Sequence, residues 1–180
     1  MHRLFVALRP PAAIRRQLLD LMGGVRGARW QDDEQLHITL RFIGEVEGPV
    51  AEDIATALAQ VGGPPIDCTL DSIGTFDRKG RIDTLWAGLT PHDALATLHK
   101  KVDQAIHRVG LPREGRAYLP HITLARFGRH ADNIDLHGFA ERHGGLSSPR
   151  FTMAHFTLFE SRTSHEGARY EAIARYPLND

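Results

Sequence analysis

An α+β fold is predicted by two features of the chain. Helical apolar periodicity alternates with period-two segments that suit antiparallel strands, and the tetrapeptide His-Ile-Thr-Leu occurs once in each half, at 37–40 and 121–124. The repeat suggests two similar halves about an approximate two-fold axis. With 180 residues and 42% hydrophobic content the chain fits one folded unit. We expect a single bilobal domain over 1–180, divided near residue 90, with one motif in each lobe.

The elements follow in order. "RLFVAL" (Arg3–Leu8) is a short apolar run stopped by Pro10-Pro11, a strand leading into a helix with proline in its first turn. Ile14, Leu18 and Leu21 then form a helical stripe that ends at Gly23-Gly24. After a motif strand around His37–Ile43, Pro49 opens a second helix with Val50, Ile54, Leu58 and Val61 on one face. Period two returns in Asp67–Phe76 and Ile82–Leu89, which flank the turn-rich "DRKG" as in a hairpin. Leu95, Leu98, Val102, Ile106 and Val109 stripe a third helix, with Lys100, Lys101, Asp103 and Arg108 on its solvated side and Gly110 as its stop. The second motif strand follows. Residues 128–145 lack periodicity and read as loop with at most a short strand or turn. Arg150–Ser161 and Ala168–Leu178 read as a closing strand pair.

Composition excludes several classes. Lys plus Arg equals Asp plus Glu at 22 each, so the chain lacks the overall positive field that coats long nucleic acids. Any nucleic-acid contact must be local, and seven Lys/Arg against two acidic residues between Lys100 and Arg129 mark one place for it. A solitary Cys68 cannot form an internal disulfide, and Arg9 and Pro10 interrupt the first apolar run too early for a signal peptide. No apolar run approaches the roughly 20 residues of a membrane span. A cytoplasmic monomer with no membrane association is expected. Eleven histidines invite a metal, but neither His-Glu-x-x-His nor Cys-x-x-Cys is present, so no metal and no cofactor is expected.

In a strand, residues i and i+2 share a face. His37 and Thr39 therefore project together, opposite Ile38 and Leu40, and His121 and Thr123 project together, opposite Ile122 and Leu124. Brought face to face, the two polar pairs set two imidazoles and two hydroxyls around one small site. An imidazole pair suits acid–base chemistry near neutral pH, one accepting a proton while the other donates. Arg126, five residues after His121, adds a fixed cation able to bind an anion through two hydrogen bonds. Together these groups describe a phosphate-shaped site for attack of water on a phosphodiester. Arg41 is a candidate substrate contact or a strand-capping arginine. Trp30, Tyr118 and Phe42 are candidates for stacking on a terminal base or for packing at the core or rim.

The two His-x-Thr-x motifs, "HITL" at 37–40 and 121–124, resemble those of the 2H phosphoesterase superfamily. Together with "RLFVALRP", "RWQDDEQLHITLRFIGEV", "PHITLARF" and "LFESRTSHEGARYEAIARYPL", they are most similar to the bacterial and archaeal RNA 2′,3′-cyclic phosphodiesterases, also called 2′–5′ RNA ligases. The resemblance spans almost the whole chain. It implies a bilobal α+β fold of two antiparallel sheets with flanking helices around a central cleft. It also implies hydrolysis of a terminal RNA 2′,3′-cyclic phosphate to a 2′-phosphomonoester. In that reaction His37 would be the proton donor to the leaving 3′ oxygen and His121 the base that activates water. Thr39, Thr123 and Arg126 match the positions that touch the phosphate. RNA ends, tRNA halves among them, or small cyclic nucleotides would be the partners, with a possible reverse joining reaction. The alternatives are a binding module for nucleotides or RNA ends that has lost turnover, and the same chemistry on another cyclic or 2′–5′ phosphodiester.

Overall fold

The computed structural model describes residues 1–131 and 133–179. Strand β1 (His2–Leu8) ends before Pro10-Pro11, and helix α1 (Ala12–Leu21) buries the expected Ile14, Leu18 and Leu21. A short strand β2 (Ala28–Trp30) and a 3-10 turn (Asp33–Gln35) lead to β3 (Ile38–Val46). The turn is closed by a reciprocal cap: the Asp32 carboxylate accepts from Gln35 N–H, and the Gln35 side chain accepts from Asp32 N–H. Helix α2 (Gly48–Leu58) precedes the hairpin of β4 (Ile66–Arg78) and β5 (Arg81–Thr90). Lys79 and Gly80 at its tip have φ of 53° and 76°, the two positive values a type I′ turn requires. Then come α3 (Asp93–Arg108), β6 (His121–Phe127), α4 (His137–His143), β7 (Phe151–Met153), β8 (His155–Ser164) and β9 (Gly167–Pro177).

All pairings are antiparallel, in the order β7-β4-β5-β6-β3-β1-β8-β9, with β2 on β6. The two expected sheets thus meet edge to edge, and the seam is the motif strands themselves, paired at Ile38↔Ile122. The helices cover the face to which Ile38, Leu40, Ile122 and Leu124 point, all at most 1% exposed. The opposite face carries the motif polar residues and a small separate aromatic cluster of Phe5, Phe159 and Tyr170.

Four details depart from the sequence reading. The 128–145 stretch contains α4, whose single buried residue, Phe139, is too little to make a visible stripe. The stretch Arg150–Ser161 breaks at Ala154, so that β7 pairs with β4 and β8 with β1. Asp103 lies buried against Arg41 instead of in solvent. A cut near residue 90 does not separate the halves of the sheet, because β8 and β9 join β1 and β3 while β2 joins β6. Among the described residues, no helix is long and apolar enough to cross a membrane.

Candidate functional site

Each motif strand is interrupted at the same place. In β3 the register against β1 runs Ala7↔Thr39 then Val6↔Arg41, and in β6 the register against β5 runs Trp86↔Thr123 then Leu85↔Ala125. One residue is extra in each, so Leu40 and Arg41 both turn to the helix side, as do Leu124 and Ala125. The bulge reverses the alternation beyond it. Position i+5 from each histidine, Phe42 in one repeat and Arg126 in the other, returns to the face of the imidazole and the threonine.

That reversal removes Arg41 from the candidate substrate contacts. Its guanidinium is 8% exposed, binds Asp103 through Nε (2.8 Å), and donates to the carbonyls of Phe42 and Pro112. Asp103 also accepts from Glu114 N–H at 3.0 Å. Burial alone would raise the Asp103 carboxyl, but the Glu114 bond and the Arg41 guanidinium hold it below its ordinary range. Tyr118 likewise is engaged on the side of α3. It donates to the Thr39 carbonyl (2.9 Å) and stacks on His99 at 4.2 Å, while His99 Nδ1 donates to the Leu40 carbonyl at 2.6 Å. Two carbonyls at the first bulge are satisfied by side chains from outside the strand, where the ladder cannot supply donors. Trp30 packs against Phe139 (5.7 Å) and borders a small cavity. Phe42 is 46% exposed, with the Arg3 guanidinium 5.4 Å above its ring.

The two imidazoles are held alike. His37 Nδ1 lies 2.7 Å from the Gln35 carbonyl and His121 Nδ1 lies 2.8 Å from the Leu119 carbonyl, in each case the residue two positions back. A carbonyl only accepts, so both Nδ1 atoms carry hydrogen and each neutral ring presents Nε2 as its acceptor. Thr39 Oγ1 sits 2.9 Å from His37 Nε2 and donates to it while the ring is neutral. Arg9 donates to the carbonyls of Asp33 and Leu36, both at 2.7 Å, and so fixes the segment that delivers His37.

Aromatic rings wall each imidazole. Phe5 (5.0 Å) and Tyr170 (5.4 Å, edge-on) flank His37, and Phe76 (4.9 Å, edge-on) and Trp86 (6.1 Å) flank His121. A side-chain carbon at position 74 would lie 2.2 Å from the Trp86 ring, so Gly74 makes room for that wall. Sequence reasoning missed these four residues. The available signal was that Gly74, Phe76, Thr84 and Trp86 share the face of the hairpin that continues His121 and Thr123.

Burial pushes the His37 imidazole down to about 4, with His121, Arg126 and Arg9 adding to the fall and the Gln35 bond opposing it. Burial also lowers His121, with Arg126 adding to it and the Leu119 bond opposing it. The Arg126 charge thus reaches both rings, and the structure brings His37, Thr39, His121, Thr123 and Arg126 together. The fixed charge of the Arg126 guanidinium beside the two rings favours an anion there. Among the described residues no three of His, Cys, Asp or Glu converge in a way that could hold a metal ion.

The family model described as the 2′-5′ RNA ligase superfamily matches residues 10–166. The chain belongs to this superfamily. Similar members include proteins named RNA 2′,3′-cyclic phosphodiesterase from Methanocaldococcus jannaschii, 27% identical over 176 residues (97% of this chain, 99% of that one). Another, from Escherichia coli, is 28% identical over 181 residues (98% and 97%). Among solved structures, E. coli LigT complexed with 3′-AMP superposes with a TM-score of 0.78 at 25% identity, covering 99% of both chains. The same protein complexed with NADP+ gives 0.81 at 26%, covering 99% and 98%. The likeness to these solved structures therefore extends over 99% of the chain.

Proposed function

We propose that the protein hydrolyses terminal 2′,3′-cyclic phosphates of RNA to 2′-phosphomonoesters, without a metal, by acid–base catalysis between His37 and His121. The observation that carries this reading is the matched pair of imidazoles beside the Arg126 charge, each fixed through Nδ1 to a backbone carbonyl, so that neither ring is anchored to the backbone through Nε2. The names of the full-length relatives support it.

In this scheme Thr39, Thr123 and Arg126 hold the cyclic phosphate. His121 Nε2 takes a proton as water oxygen bonds to phosphorus. The bond from phosphorus to O3′ breaks, and protonated His37 delivers its proton to that oxygen. A free 3′-hydroxyl and a 2′-phosphate result. His37, depressed to about 4, is a strong acid once protonated, which favours transfer to the leaving oxygen while thinning the competent protonation state. A 5′-hydroxyl in place of water would give a 2′–5′ linkage by the same steps.

The test is incubation, with EDTA present, with a short RNA ending in a 2′,3′-cyclic phosphate. A 2′-phosphate product is expected, and His37→Ala or His121→Ala should each lower turnover by roughly 10²–10⁴. Near-normal rates in both variants would remove the two histidines from catalysis.

A further inference from the structure

Arg126 borders two cavities. One, of about 210 Å³, adjoins Tyr170 and the His37 side; the other, of about 680 Å³, extends toward the tip of the β4–β5 hairpin. Six cations line the larger one: Arg29, Arg78, Lys79, Arg81, Arg126 and Arg129. The one carboxylate among its lining residues, Asp83, already accepts from Thr84 Oγ1 at 2.9 Å.

The backbone sets this arrangement. Arg29 lies directly across from Arg126 on β2, and Arg78 lies across from Arg81 at the two ends of the type I′ turn. Arg81 donates to the Arg129 carbonyl, tying the hairpin tip to the loop after β6. A tight turn carrying three basic residues is thus held over a cavity that opens from the proposed phosphate site.

One cyclic phosphate carries one negative charge, and Arg126 with two hydroxyls meets it. Arg29, Arg78, Lys79 and Arg129 add four further cations in a protein of zero formal net charge, and these call for further anions. The cavity is large enough for ligand beyond the reacting phosphate. We propose that it holds the phosphates on the 5′ side of the reacting nucleotide, so that the protein selects the end of an RNA strand over a free cyclic mononucleotide. This rests on the proposed reaction for its register and on the cation cluster for its existence.

The experiment compares the native protein with Arg78→Ser/Lys79→Asn, asparagine being chosen because position 79 has left-handed backbone. Two readouts are taken. One is the ratio of kcat/KM for a short RNA ending in a cyclic phosphate to that for 2′,3′-cyclic AMP. The other is the affinity of the same fluorescently labelled RNA as a function of salt. The native ratio should exceed unity, and the variant should lower it about tenfold or more. The slope of log affinity against log salt should become shallower by about 1.4, two fewer phosphate contacts on a single strand. An unchanged ratio and slope, with both substrates still hydrolysed, would overturn the strand site and leave the reaction standing. Salt-dependent binding weakened in the variant, with neither substrate hydrolysed by the native protein, would establish the site and overturn the reaction.

Discussion

In the proposed reaction the two imidazoles fix where on the pH scale turnover runs, and pH itself is the most direct perturbation. In the free protein burial, then the charges of His121, Arg126 and Arg9, push His37 to about 4, and burial with Arg126 also lowers His121 from its ordinary 6.5. The proposed active form carries one proton on the pair. The profile of kcat/KM reports the free protein, so it should rise through the lower apparent pKa of the pair and fall through the higher, both below 6.5. Its optimum therefore lies on the acid side of 6.5. Beyond the higher pKa the rate should fall tenfold per pH unit, about 30-fold between pH 6.5 and 8. A bound cyclic phosphate is an anion beside both rings and favours their charged forms, which shifts both values upward. The optimum of kcat should accordingly sit at higher pH than that of kcat/KM. Steady-state rates on a cyclic-phosphate RNA, between about pH 4.5 and 8.5 at constant ionic strength, separate the two profiles. An optimum of kcat/KM at or above pH 7, or coincident profiles, would refute the reasoning.

Three further outcomes are expected. The unfolded chain takes up a proton at residue 37 before the folded protein does, so the His37 contribution to stability is complete above pH 6.5 and is lost as pH falls toward about 4. At 1.36 kcal/mol per unit this amounts to about 3 kcal/mol in urea titrations, and His37→Asn should flatten that part of the curve. Asp103→Ala leaves the buried Arg41 guanidinium without its counter-charge and should cost about 3–5 kcal/mol with an unchanged denaturant slope, whereas Arg41→Met/Asp103→Leu should cost far less. Tyr118→Phe leaves the Thr39 carbonyl without its donor; we expect a loss of about 1–3 kcal/mol in stability and a fall in kcat, with KM changed less than about twofold.

Much of this site was legible because a strand has period two. The faces of His37 and Thr39, and of His121 and Thr123, follow from spacing alone, and the helices announced themselves through Ile14, Ile54 and Leu98. The bulges were not legible. They arise from register against β1 and β5, which no local pattern encodes, and they decide that Arg126 shares the imidazole face while Arg41 turns inward to Asp103. Distant chain also supplies the walls of the site: Tyr170 reaches His37 from β9, and Trp86 reaches His121 from β5. The short β2 and α4 escaped because three and seven residues bury too few side chains to repeat.

The pairing of β8 with β1 bears on synthesis as well as on shape. Phe5 is made long before its partner Phe159 (5.2 Å) and the Tyr170 that closes the His37 pocket. A nascent or truncated chain that ends before β8 contains both motifs but lacks the enclosure that depresses the first histidine. The setting of the first histidine is therefore completed only once β8 has paired with β1 and β9 with β8.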